Sequence, residues 1–184
     1  MLSMLFLIFA LGLQAYAMEL SVPIYPQNYS NWCWVASSAM VGRYYYADSI
    51  VDQYDICFAM HGNTFNYTAS SSEEVARTVN YVTRNRKTYG VANYVYGASP
   101  PGFDLSKIQN EILQSQPLIG IVAMQGDGSD AHTWVISGYD SSKEKLVLIN
   151  PAGGFRREFL WNEFIRGTSE YEPRPYKTAI YNVN

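Results

Sequence analysis

The sequence predicts an α+β fold, with an N-terminal helical half packed on a C-terminal antiparallel sheet. Helix-period stretches fill the first two thirds of the chain and strand-like runs follow from Leu118, a segregated order unlike the alternation of a parallel α/β fold. The chain has 184 residues, 48% of them hydrophobic and only 16% charged, which suits one domain with a sizeable core. Aromatic content is 15%, including 16 Tyr, a composition that excludes a disordered chain. A net charge of −3 implies no nucleic-acid-binding surface, and no nucleic-acid partner is expected.

Residues 1–17 read as a cleaved signal peptide: an apolar run from Met4 to Leu13, then the small-x-small pattern Ala15-Tyr16-Ala17. The n-region departs from the usual pattern in lacking Lys or Arg. The run is short for a membrane span, and no other segment qualifies. The mature domain, 18–184, is therefore expected to be secreted or periplasmic and monomeric, with no membrane attachment after cleavage. Pro23 and Pro26 keep its lead-in extended. That lead-in is too short for an inhibitory prodomain.

A helix is predicted to begin near Cys33, capped by Ser30 or Asn31, with Ala36, Ala39, Met40 and Tyr44 at helical spacing. Residues 51–60 read as a short second helix carrying Cys57, followed by a loop that includes His61. Ser71 and Glu74 form a capping box for a third helix, running to about Arg86 with Val75, Val79 and Val82 inward. One strand is expected at Ala92 to Tyr96. Asp104 can cap a helix from Leu105 to Gln114, which Pro117 stops. Strands follow at 118–124, 132–140, 146–150, 155–160 and 176–183, with a helical turn from Trp161 to Ile165.

Four positions carry chemistry. Cys33 in the first turn of a buried helix meets unpaired N–H groups and partial positive charge, which favour the thiolate. His132 opens one strand and Asn150 ends the next, and their midpoint at 141 falls within the intervening turn. A hairpin centred there sets them face to face, so that the Asn carboxamide fixes the imidazole and frees its other nitrogen for a nucleophile. Gln27, six positions ahead of Cys33, offers a side-chain amide that, with the Cys33 N–H, could receive an oxyanion. Taken singly, each has a plainer reading: a buried or disulfide-bonded Cys, a structural His, an Asn turning into Pro151, a polar loop Gln. Together they favour nucleophilic catalysis. Two Cys and two His at irregular spacing give no zinc signature, and no phosphate-binding loop occurs, so neither metal nor cofactor is expected.

Gln27, Cys33-Trp34 with its Ala-rich helix, His132 heading the run HTWVISGYD, and Asn150-Pro151 resemble the papain-like cysteine proteases. The likeness is to their compact bacterial branch, which includes the staphopains and plant-pathogen effector proteases. It spans about residues 20 to 165. It implies a papain-like fold and a cysteine endopeptidase that acts on proteins or peptides through a thioester. Cys33 is then the nucleophile, His132 the general base and acid, Asn150 the orienter and Gln27 the oxyanion donor. Where the family has Cys-Gly-Ser-Cys-Trp, this chain has Ser30-Asn31-Trp32-Cys33-Trp34. The family's Cys three positions before the nucleophile is thus absent, and Trp32 and Trp34 are expected to border the substrate cleft. With no prodomain, restraint by a separate inhibitor protein is the expectation. Alternatives are a cell-wall amidase, deamidase or acyltransferase with the same residues, although the Asp-Cys-Ser-Gly of cell-wall enzymes is missing. The Asp-Cys-Gly of leader-cleaving exporter peptidases is missing too, despite their equal Gln-to-Cys spacing. A further alternative is an inactive binding module closed by a Cys33–Cys57 disulfide.

Overall fold

The computed structural model describes residues 17–47, 52–86, 88–95, 105–123, 131–166 and 176–182. The signal segment up to Tyr16, the Asp104 cap and the Gly-rich turn before His132 lie outside them.

The fold is α+β and papain-like. Helix α1 (Cys33–Tyr45) is buried from Cys33 through Gly42, because it is small or apolar on every side rather than on one stripe. Trp32, not Ser30 or Asn31, occupies the cap position and makes no side-chain cap bond. The two expected caps are spent on a neighbouring loop. Asn66 accepts from the Asn31 N–H at 2.9 Å and donates to Ser30 Oγ at 2.9 Å.

Helix α2 (Gln53–His61) starts at Asp52, whose side chain accepts from the Tyr54 N–H. His61 is its last residue rather than a solvated loop residue, with Nε2 lying 3.2 Å from a carboxylate oxygen of Glu74. Helix α3 (Ser72–Val82) is capped by Ser71 as the capping box requires, and Val75, Val79 and Val82 face inward. The Glu74 carboxylate, however, reaches back to the N–H and hydroxyl of Ser70 instead of Ser71. The helix also stops before the charged run, because Arg84 and Asn85 adopt left-handed backbone.

Strand β2 (Tyr89–Val95) begins earlier than the sequence indicates. Helix α4 (Leu105–Leu113) buries Ile108 and Ile112. Strands β3 (Leu118–Ala123), β4 (Ala131–Asp140), β5 (Lys145–Asn150), β6 (Phe155–Leu160) and β7 (Tyr176–Asn182) lie within a residue or so of expectation, with α5 (Trp161–Arg166) between the last two. A short strand the sequence did not signal, β1 (Ala17–Glu19), continues along β4 beyond β3 and pairs with Gly138 to Asp140. Gly138 permits this approach, since a Cβ there would lie 2.6 Å from the Met18 carbonyl oxygen.

The sheet runs β2-β7-β3-β4-β5-β6, and every pairing is antiparallel. Helix α1 packs between α3 and β4, which places the helix that carries Cys33 on the strand that carries His132. Met40, Ile56, Val79, Ile119, Ile136 and Leu148 belong to one hydrophobic core shared by helices and sheet. Burying each such aliphatic side chain contributes on the order of 1.5–3 kcal/mol. Among the described residues, no helix is long and apolar enough to cross a membrane.

Candidate active site

Cys33 is the first residue of α1, so its N–H has no intrahelical acceptor and its thiol sits at the positive end of the helix. The thiol lies beside His132 and Thr133 of β4, which act on it electrostatically. Burial alone would push the Cys33 pKa up. The nearness and charge of His132, with the Thr133 contacts, outweigh it and hold the thiol below its ordinary value. His132 moves the opposite way: burial pulls it down, but the contact with Cys33 and the bond to Asn150 leave it above its ordinary value. A lowered thiol beside a raised imidazole is the direction that populates a thiolate–imidazolium pair.

His132 Nε2 lies 2.7 Å from Asn150 Oδ1. Because the carboxamide oxygen accepts, Nε2 carries the proton and Nδ1 is the nitrogen left for Cys33. Asn150 Oδ1 also accepts the Ala152 N–H at 2.9 Å, which turns the chain after β5 and fixes the carboxamide. The pairing register differs from the hairpin centred on 141. Val135 pairs with Ile149, so one further step sets Asn150 opposite Trp134, with His132 two residues beyond on the same face. Two features shift it: a turn over residues 141–144 ending in left-handed Glu144, and a register break between Ile136 and Gly138. The contact is therefore a diagonal one, within reach of side chains on one face of a sheet. The ring of Trp134 packs edge-on against His132, with centroids 5.8 Å apart.

Gln27 is brought to the same corner. Its N–H donates to the Pro151 carbonyl at 2.9 Å, joining it to the turn after Asn150. Gly154, with φ of +63°, packs on Pro26, where a Cβ would lie 2.5 Å from Pro26 Cγ. The Gln27 amide nitrogen, however, donates to the carbonyls of Tyr29 and Ser30, at 2.9 and 2.8 Å. Both of its hydrogens thus brace the turn that leads into α1.

Trp32 and Trp34 do not border a cleft: they are 0% and 1% exposed. Their indole N–H groups donate to the Phe65 and Tyr67 carbonyls, so they hold the loop after α2 against the start of α1. The exposed aromatics of this region are Tyr29, Tyr54, Phe58, Phe65 and Tyr67. Cys33 and Cys57 are both free, and Cys57 Sγ faces the Phe65 carbonyl at 3.7 Å. Burial, with the nearby Glu74 charge, pushes the Cys57 pKa up, the opposite of Cys33.

Two contributors are not legible in the sequence as functional. Thr133 helps to lower the thiol, and its only signal is adjacency to His132. Gln53, fully buried at the start of α2, bonds the backbone on both sides of Gln27, and nothing in the sequence points to it.

No curated protein matches the chain. A family model described as "Peptidase_C39 like family" matches residues 19–175, a span that contains Gln27, Cys33, His132 and Asn150. With a thiol, an imidazole and a carboxamide set together over that span, the chain belongs to the Peptidase_C39-like family, a family of the cysteine-peptidase type.

Proposed function

We propose that the protein is a secreted cysteine endopeptidase of papain-like mechanism, as its likeness to the staphopains and effector proteases implies. The observation that carries this reading is His132, hydrogen-bonded to Asn150 and set against Cys33, with the thiol lowered and the imidazole raised. The Cys33 thiolate attacks the scissile carbonyl carbon, forming a C–S bond while the carbonyl electron pair moves onto oxygen. The Cys33 N–H at the start of α1 receives that oxyanion. The Gln27 amide becomes the second donor by exchanging one of its two carbonyl partners. Collapse expels the amine, which takes the His132 proton, and leaves a thioester. His132 then removes a proton from water, whose attack releases the acid and regenerates the thiolate. Asn150 keeps the imidazole in one tautomer and orientation throughout.

The test is to treat purified protein with an epoxysuccinyl thiol inhibitor, locate the adduct by peptide mass, and follow casein cleavage in parallel. The expected result is one adduct on Cys33, lost in His132→Ala, and casein cleavage abolished by Cys33→Ala. An adduct on Cys57 alone, or none with intact casein, refutes the reading.

A further inference from the structure

Residues 20–32, directly ahead of Cys33, have no regular secondary structure of their own, so something else must hold them in register with the nucleophile. Gln53 is the side chain placed to do so. It is the first residue of α2, 0% exposed, and its carboxamide meets the peptide chain on both flanks of Gln27. Oε1 accepts the Asn28 N–H at 2.9 Å, and Nε2 donates to the Pro26 carbonyl at 2.7 Å. A side-chain amide bonded in this way imitates one rung of an antiparallel ladder. The geometry is two-point: it sets both the height and the twist of residues 26–28.

Those residues bear on the site from two directions. The Gln27 N–H is bound to the Pro151 carbonyl, directly after the carboxamide that orients His132. The Gln27 side chain braces Tyr29 and Ser30, three residues ahead of Cys33. The turn after Asn150 also rests on Pro26 through Gly154. Gln53 therefore stands behind a strip of backbone that touches the approach to the nucleophile on one side and the His132 orienter's turn on the other.

We propose that Gln53 is a positioning residue for the acyl-transfer reaction, registering the Gln27 segment and the oxyanion donors against the Cys33–His132 pair. The proposal rests on the endopeptidase reading above and adds the element that holds its oxyanion site. It makes a chemical distinction. Alkylation of a thiolate by iodoacetamide forms a C–S bond, expels iodide and develops no oxyanion. Acylation by a carbonyl does develop one. Loss of Gln53 should spare the first and slow the second.

The experiment uses the full protein and two variants, Gln53→Met and Gln53→Glu. For Met, of similar length but without polar atoms, kcat on a casein-derived peptide is expected to fall at least about tenfold, with KM and the Cys33 alkylation rate each held within about twofold. For Glu, the protonated acid restores both contacts, its C=O accepting from Asn28 and its O–H donating to Pro26, whereas the carboxylate cannot donate. Its activity relative to wild type is therefore expected to rise as pH falls, while its relative alkylation rate stays flat. If Gln53→Met does not fold, the Glu variant on the acid side carries the test. Unchanged kcat in Gln53→Met, alkylation falling in step with kcat, or a Glu-to-wild-type ratio that ignores pH would each overturn the proposal. A wild type that leaves casein intact yet gives an acylation burst with p-nitrophenyl acetate overturns the endopeptidase reading instead. The same ratios, read on the ester burst, then decide the role of Gln53 separately.

Discussion

Asn150→Ala tests the arrangement most directly, because one atom of Asn150 performs two separable tasks. Its Oδ1 accepts from His132 at 2.7 Å and from the Ala152 N–H at 2.9 Å. The first bond goes to a ring that carries charge in the reactive state. A hydrogen bond to a charged group is worth about 1.5–3 kcal/mol, so its loss should lower kcat/KM by roughly 10- to 150-fold, mostly in kcat. The second bond is neutral and worth about 1 kcal/mol, roughly 2–4 °C in Tm for a domain of this size. Asn150 also contributes to holding His132 above its ordinary value, beside the larger influence of Cys33 and against burial. Activity should climb as pH rises through the lowered Cys33 value and fall as pH rises through the raised His132 value. Without Asn150 the alkaline limb moves to lower pH. Asn150→Asp keeps the acceptor and adds negative charge, so there the limb moves to higher pH. Peptide hydrolysis across the pH range, with thermal unfolding in parallel, reads all of this. A folded Asn150→Ala protein within about threefold of wild type in kcat/KM, or an Asp variant whose limb moves down, would refute the reasoning.

Thr133→Val removes the hydroxyl that lowers the Cys33 thiol and leaves the backbone contact. At about 1.5–3 kcal/mol for a bond to a thiolate, the pH midpoint of Cys33 alkylation should rise by roughly one to two units, and an unmoved midpoint rules the contact out. Burial works against the Glu74 carboxylate, but Ser70 N–H and hydroxyl bonds with the nearby His61 and Arg77 charges hold its pKa below the ordinary value. It therefore stabilises the fold above the ordinary carboxylate range and loses that contribution as pH falls through the lowered value. Glu74→Gln should cost about 1.5–3 kcal/mol at neutral pH by denaturant unfolding and converge with wild type in acid; a deficit independent of pH would count against it. Gly138→Ala places a Cβ 2.6 Å from the Met18 carbonyl oxygen and 2.9 Å from Glu19 Cα, so β1 should detach, taking with it the Glu19–Arg156 ion pair. Limited proteolysis at residues 17–22 should become rapid with a loss of about 1–3 kcal/mol, and unchanged resistance would show that the backbone accommodates the methyl.

The parts of the site that rest on local signals are legible in the sequence itself. A small-residue helix beginning at Cys33 and two strands with His132 and Asn150 at their ends are written in short-range periodicity. What escapes depends on partners distant in sequence or on single-residue irregularities. Trp32 and Trp34 look like cleft residues among so many aromatics, but their acceptors are main-chain carbonyls 33 residues further on, which no side-chain pattern records. The hairpin register shifts by a pair because the turn is centred between Ser142 and Lys143 rather than on 141, and the break around Ser137, which falls in an unbroken strand pattern, takes back only one residue of that displacement. Asn31 is a sound helix cap by composition, yet Asn66 competes for it and wins with two bonds. Gln53 is an ordinary residue for the first turn of a helix, and only the fold reveals that its amide faces inward.

Strand β7, the last of the described strands in chain order, is not a sheet edge: it lies between β2 and β3 and alone connects β2 to the rest of the sheet. A ribosome therefore delivers this keystone after every strand it must join. Until it arrives, β2 has no strand beside it, α3 lacks part of its floor, and the nascent sheet holds a gap where β7 belongs. Such a chain cannot complete its sheet strand by strand during synthesis, and closes it in one late, cooperative event.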